Sequence, residues 1–180
     1  MLKLQKGFLW MLIATLFFSL MGATVKLGSE YFSPIELVFY RSATSLIFIF
    51  FIMNINKVTI KTDYLILHFK RSLVGFISLL LFFYAIGHLP LSTAISLNYT
   101  SPLSLGILLP FILNRKLNYK VYAMVLIGFI GVFLILKPTF NDESIYAGVI
   151  GLFSGLGAAV AYLYLTQLGQ LKEPDIRTVF

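Results

Sequence analysis

From Gly7 to Val25 the chain runs for 19 residues without a charged side chain. At ~1.5 Å per residue, a helix of that length crosses the roughly 30 Å hydrocarbon core of a bilayer. Similar runs recur to the end of the chain. Six spans are predicted, at residues 7–25, 35–53, 72–87, 91–113, 121–136 and 145–168. The runs far exceed the ~10 residues of a transmembrane strand and lack its strict alternation, so the expected class is an all-α integral membrane bundle. The fifth run is short and is expected to use Lys120 and Lys137 as snorkelling flanks. His88-Leu89-Pro90 breaks a nearly continuous apolar stretch and predicts a tight connection between spans three and four.

Composition agrees. Of 180 residues, 59% are hydrophobic and only 12% charged, whereas an ordinary soluble domain is about a quarter charged. The net charge of +7 would raise the question of nucleic acid in a soluble protein. Here the basic residues sit in short connections, where they orient a membrane protein. Lys3, Lys6, Lys57, Lys61, Lys70, Arg71, Arg115, Lys116, Lys120, Lys172 and Arg177 fall on one side of the predicted membrane, against Lys26 and Lys137 on the other. The N-terminus is therefore expected in the cytoplasm, with six crossings returning the C-terminus there. The first run is longer than a typical signal-peptide core, and a cleavage after Ala23 would place bulky Met21 at the minus-three position, so it is read as a span. The absence of cysteine excludes disulfides, thiolate metal sites and thiol catalysis. No HExxH, GxSxG, Walker A or paired-acid pattern occurs. An enzyme, a metal site and a cofactor are not expected. The expected partners are the lipid bilayer and a small-molecule substrate, with a homodimer kept open.

The chain also carries a weak internal repeat. Setting Gly7 against Gly148 aligns Gly28 with Gly169 and Leu27 with Leu168, and brings Pro34 within one residue of Pro174. Five spans separate the copies, an odd number, so the second would be inverted. Inverted repeats are common in secondary transporters, whose substrate site lies between the halves. The domains expected are 1–143, a five-helix repeat, and 144–180, the truncated start of a second.

Several motifs resemble the EamA family of the drug/metabolite transporter superfamily. They are Ser33-Pro34-x-Glu36-Leu37-x-Phe39-x-Arg41, the stretch from Leu81 through Tyr84 to Leu91, Ala94 through Asn98 to Pro102, Arg115-Lys116-Leu117, and Gly128 through Gly131 to Pro138. The resemblance implies ten helices in two inverted five-helix repeats, a central cavity, and transport of small metabolites across the inner or plasma membrane. The chain departs from the pattern in length and in carrying Asn114-Arg115-Lys116 where many members have Gly-Glu-Arg or Gly-Glu-Lys. The function expected is a secondary permease of amino acids or their derivatives working by alternating access in a bacterial inner membrane. The alternative is a non-transporting scaffold or an incomplete fragment of such a transporter.

Candidate site residues are few because polar groups are few. Arg41 lies about 10 Å into its helix, at a depth where an ionisable group is costly. It either binds an anionic substrate group or locks helix packing. Glu36 lies ~140° around the helix from Arg41, so its expected partner is Lys26, in an ion pair at the outer mouth. Asn98, Tyr99, Thr100 and Ser101 precede Pro102, which removes the hydrogen bond to the Asn98 carbonyl. That leaves either a polar site or a kink satisfied by its own hydroxyls. Tyr84 and Tyr99 are candidate aromatic walls. Gly128, Gly131, Gly151 and Gly155 are expected to serve close helix packing.

Overall fold

A computed structural model describes residues 2–57, 61–113, 119–136, 142–174 and 177–178. The described residues form seven helices and no strand: α1 (Leu2–Gly28), α2 (Pro34–Ile55), α3 (Leu65–His88), α4 (Leu91–Asn98), α5 (Ser101–Leu113), α6 (Tyr119–Leu136) and α7 (Asp142–Gln170). Four stretches are long and apolar enough to cross a membrane: Gly7–Gly28, Pro34–Ile55, Leu65–His88 and Ile145–Gln170. The Asn114–Leu117 and Lys137–Pro138 motifs lie outside the described residues.

Two expected spans are corrected. The third was expected to begin at Ser72 with Lys70 and Arg71 in a loop, but α3 begins at Leu65 and carries both inside the helix. The apolar triplet Leu65-Ile66-Leu67 starts the helix, and the long basic side chains do not stop it. The fourth was expected as one helix over 91–113. It is two, because Tyr99 and Thr100 form a turn between α4 and α5. Proline at position 102 cannot donate back to Asn98, and the backbone breaks within the preceding turn.

Local chemistry sets the helix ends. Ser33 caps α2 with Pro34 in its first turn. The Ser33 hydroxyl accepts from the Glu36 amide at 3.4 Å, and a Glu36 carboxylate oxygen accepts from the Ser33 amide at 2.8 Å, closing a capping box. Leu89 ends α3 in an extended conformation (φ −116°, ψ 160°), as a residue before proline prefers. After α7 the Glu173 amide reaches back to the Leu168 carbonyl and the Lys172 amide to Gly169. Lys172 takes φ 57° at the position where such stops usually place glycine.

The core gathers at the end of the bundle where α1 and α3 finish and α2 and α4 begin. It comprises Val25, Val38, Phe83, Ala85, Ile86, Leu89, Ala94, Leu97 and Ala147. Away from it the surface is strongly apolar: Trp10 is 71% exposed and Phe48 65%. Water would not tolerate such a surface over whole helices, but lipid does. α7 lies along α3 and against α4 and α5. Its small residues permit the approach. A Cβ on Gly157 would come within 2.9 Å of the Ser78 side chain, and one on Gly151 within 2.8 Å of Leu97.

Candidate functional site

The interrupted fourth span creates the most polar region in the bundle interior. Asn98 ends α4 and donates from Nδ2 to the Ser154 hydroxyl of α7 at 3.2 Å. Ser154 is fully buried and passes its own proton to the Gly151 carbonyl at 2.6 Å. From α3, the Ser78 hydroxyl donates to the Ser154 carbonyl at 2.7 Å. Thr100 and Ser101 are buried beside the break, and the Thr100 hydroxyl donates to the Leu97 carbonyl at 2.7 Å. Ser104, one turn further, is buried with a hydroxyl that finds no partner. In an apolar medium each unsatisfied group costs more than a kcal/mol or so, so nearly all of these groups are spent on one another.

Of the residues expected to line a cavity, Asn98, Thr100 and Ser101 are brought together and the others are not. Tyr99 is 64% exposed and points out of this cluster. The half-buried Tyr84 stacks on His88 at 4.1 Å, and His88 Nδ1 donates to the Tyr84 carbonyl at 2.9 Å. Ser78 and Ser154 were missed in the sequence, where single serines in apolar helices carry no signal that they meet.

Arg41 shares the depth of this cluster. It lies seven residues past Pro34, and Asn98 lies seven past Leu91, so each is about 10 Å in from the same end of the bundle. The guanidinium is half-buried against α1, where Nε donates to the Met21 sulfur at 3.2 Å. Neither acid nor carbonyl of the described residues takes its other donors. A thioether is a weak acceptor, so Arg41 is a cation with most of its hydrogen-bonding capacity unused.

The expected Lys26–Glu36 ion pair is not formed in this structure. Glu36 is held by Ser33 in the capping box, a signal legible in Ser33-x-x-Glu36 itself. Lys26 Nζ instead donates to the carbonyls of Ile86, Gly87 and Leu89 at 2.8, 3.2 and 3.0 Å. These are the carbonyls left open at the end of α3, where the helix dipole also favours a cation. The ammonium of α1 thus caps α3. Lys26→Met is expected to destabilise the folded protein by about 2 kcal/mol through the loss of charged hydrogen bonds. Thermal unfolding in detergent measures it, and an unchanged midpoint would show that water caps α3 equally well.

Among the glycines expected to pack, Gly128 meets Leu103 of α5, Gly151 meets Leu97 and Ala85, and Gly155 meets the backbone of α4. A Cβ on Gly131 meets nothing among the described residues. A groove of about 550 Å³ runs between α5 and α6, lined by Ile107, Tyr122, Val125, Leu126, Phe129 and Ile130. None of the candidate residues lines it, and its walls suit an acyl chain better than a polar solute.

Apolar spans, a broken helix with polar groups at its joint and an unspent cation at the same depth belong to a polytopic membrane protein. Comparison with known proteins makes the assignment: residues 5–137 match the EamA-like transporter family, and the chain belongs to it. It is 34% identical over 171 residues to an uncharacterized transporter of Helicobacter pylori, covering 93% of this chain and 57% of that protein. It is 32% identical over 166 residues to the pseudopaline exporter of Pseudomonas aeruginosa, covering 92% and 58%. An S-adenosylmethionine uptake transporter of Rickettsia bellii is 30% identical over 115 residues, covering 62% and 40%. The chain therefore aligns with only 40–58% of the length of these curated relatives. No solved structure matches it. The relatives are named as transporters, and the chain is a multi-pass membrane protein of their family.

Proposed function

We propose that this chain supplies the first five-helix repeat and the opening helix of an inverted second repeat in a ten-helix secondary transporter. Spans one to three are α1, α2 and α3. The interrupted α4–α5 is the fourth, α6 the fifth and α7 the first helix of the second repeat. The protein moves small metabolites, amino acids or their derivatives, across the bacterial inner membrane by alternating access, with its N-terminus in the cytoplasm. The observation that carries this reading is the break at Tyr99–Thr100, with Asn98 held to α7. Discontinuous helices at membrane depth, packed against the other repeat, are where transporters of this kind build their sites. The relatives' names support the substrate class, since one concerns S-adenosylmethionine, a methionine derivative by name. They do not choose a direction, because one is an exporter and another an uptake transporter. The basic residues crowding one side of the predicted spans support the orientation.

In this reading the Arg41 guanidinium offers its free donors to a substrate carboxylate, while the α4–α5 joint allows the two half-helices to move relative to α7. Inside-out and right-side-out vesicles carrying the full-length protein, challenged with radiolabelled amino acids, amino-acid derivatives and nucleosides, test the proposal. Accumulation of an amino acid or derivative above empty vesicles is expected. A flat result across the panel in both orientations would overturn it and favour a membrane scaffold.

A further inference from the structure

The end of the bundle opposite Arg41 holds a second polar cluster, built around one carboxylate. Glu173 follows the stop after α7, and its side chain is 6% exposed. One carboxylate oxygen accepts a hydrogen bond from the Thr62 hydroxyl, in the connection between α2 and α3. The same oxygen lies 3.4 Å from Nε2 of His68, in the first turn of α3. The other accepts from Arg177 Nη1 at 2.7 Å, in the chain beyond Pro174. The α2–α3 connection, the start of α3 and the chain beyond α7 therefore meet on a single part-buried carboxylate. The Thr62 hydrogen bond, opposed by burial and aided by His68 and Arg177, holds its carboxyl below the ordinary value. The group stays anionic near neutrality.

The placement gives the cluster its meaning. The α2–α3 connection belongs to the five-helix repeat, whereas Glu173 and Arg177 lie past the first helix of the next. The cluster thus ties the two repeats together at one face of the membrane. The stop that aims Glu173 is itself unusual, since it sets Lys172 at φ 57°. A backbone in that conformation stores about 1–2 kcal/mol for a residue with a Cβ, which the surrounding contacts must offset. Alternating access requires that contacts between repeats at one face break when that face opens.

We propose that Glu173 is the latch that closes this face, held by Thr62, His68 and Arg177, and that each transport cycle opens it. The inference rests on the transporter reading, so its test includes readouts that need no substrate. These 180 residues hold no cysteine, and any elsewhere in the full-length protein is first replaced by serine. Thr178, buried beside the latch at 5% exposure, is replaced by cysteine as a reporter. In the full-length Thr178→Cys protein, a hydrophilic maleimide is expected to label slowly. Adding Glu173→Gln, which leaves the shape and removes the charge, is expected to raise labelling about tenfold, as loss of charge-assisted hydrogen bonds does. Thr62→Val removes one donor only and is expected to raise it by a smaller factor. That variant and a monodisperse elution profile separate opening from unfolding. A Thr62→Cys/Glu173→Cys pair, bridged by a short bifunctional thiol reagent, is expected to stop transport until the bridge is reduced.

Equal labelling with and without Glu173→Gln overturns the latch. So does a bridged pair that transports at the unbridged rate. Labelling that rises as expected, in a protein that moves no metabolite in either vesicle orientation, sinks the transporter reading and the cycling with it, and leaves Glu173 as a static clasp between the α2–α3 connection and the chain after α7.

Discussion

Gly155→Ala is expected to lose about 2–3 kcal/mol of folding free energy, the upper part of the range for overpacking a tight contact. The new Cβ would press first on the Thr100 hydroxyl, and would also come within 2.9 Å of the Leu97 carbonyl oxygen and 3.4 Å of the Asn98 carbonyl oxygen. The hydroxyl can turn aside, but the two carbonyls are backbone atoms at the end of α4 and cannot. Relief requires α7 to retreat, which would pull Ser154 from Asn98. Alanine gains only ~0.5–1 kcal/mol in helix propensity, too little to compensate. Gly151→Ala provides the contrast, since its closest neighbour is the end of the flexible Leu97 side chain, and it should cost less. Gly131→Ala meets open space and should be neutral or slightly stabilising. The order of unfolding midpoints in detergent checks all three. If Gly155→Ala melts with Gly131→Ala, α7 is not seated on α4 as described.

Arg41→Met is expected to leave the folded protein in place and to slow transport about a hundredfold, a change of ~2.7 kcal/mol in the barrier. Methionine keeps an unbranched apolar stem beside Met21 and removes the guanidinium with its charge and donors. Arg41→Lys should fall between, because an ammonium keeps the charge and loses the bidentate fork. The measurement is initial uptake of whichever substrate the vesicle panel identifies, with unfolding midpoints alongside. Wild-type uptake by Arg41→Met would make the guanidinium a packing element and return the site to Asn98 and its neighbours.

The sequence made the bundle legible wherever a long apolar run had a sharp end. Pro34, His88-Leu89-Pro90 and the run from Ile145 placed their helices closely. It was less informative where polarity and helix coexist. Lys70 and Arg71 looked like a loop because hydropathy drops there, yet helix propensity does not. Glu36 was given to Lys26 by matching charges at one end of the bundle, although the nearer serine needed no tertiary contact at all. Local chemistry took the acid, and the lysine went to open carbonyls. Pro102 announced a break but not its position, which fell at Tyr99–Thr100, nor the serine that meets it. Ser154 joins Asn98 across 56 residues of chain and Ser78 across 76. Glu173 joins Thr62 across 111. Contacts of that span come from packing and leave no local pattern.

Lys26 also dictates an order of assembly. The groups that hold it are supplied by Ile86, Gly87 and Leu89, at least 60 residues further along the chain. While α1 and α2 emerge, that ammonium has only water and headgroups for company. The Lys26 contacts that join α1 to α3 can therefore form only after the turn following α3 has been made.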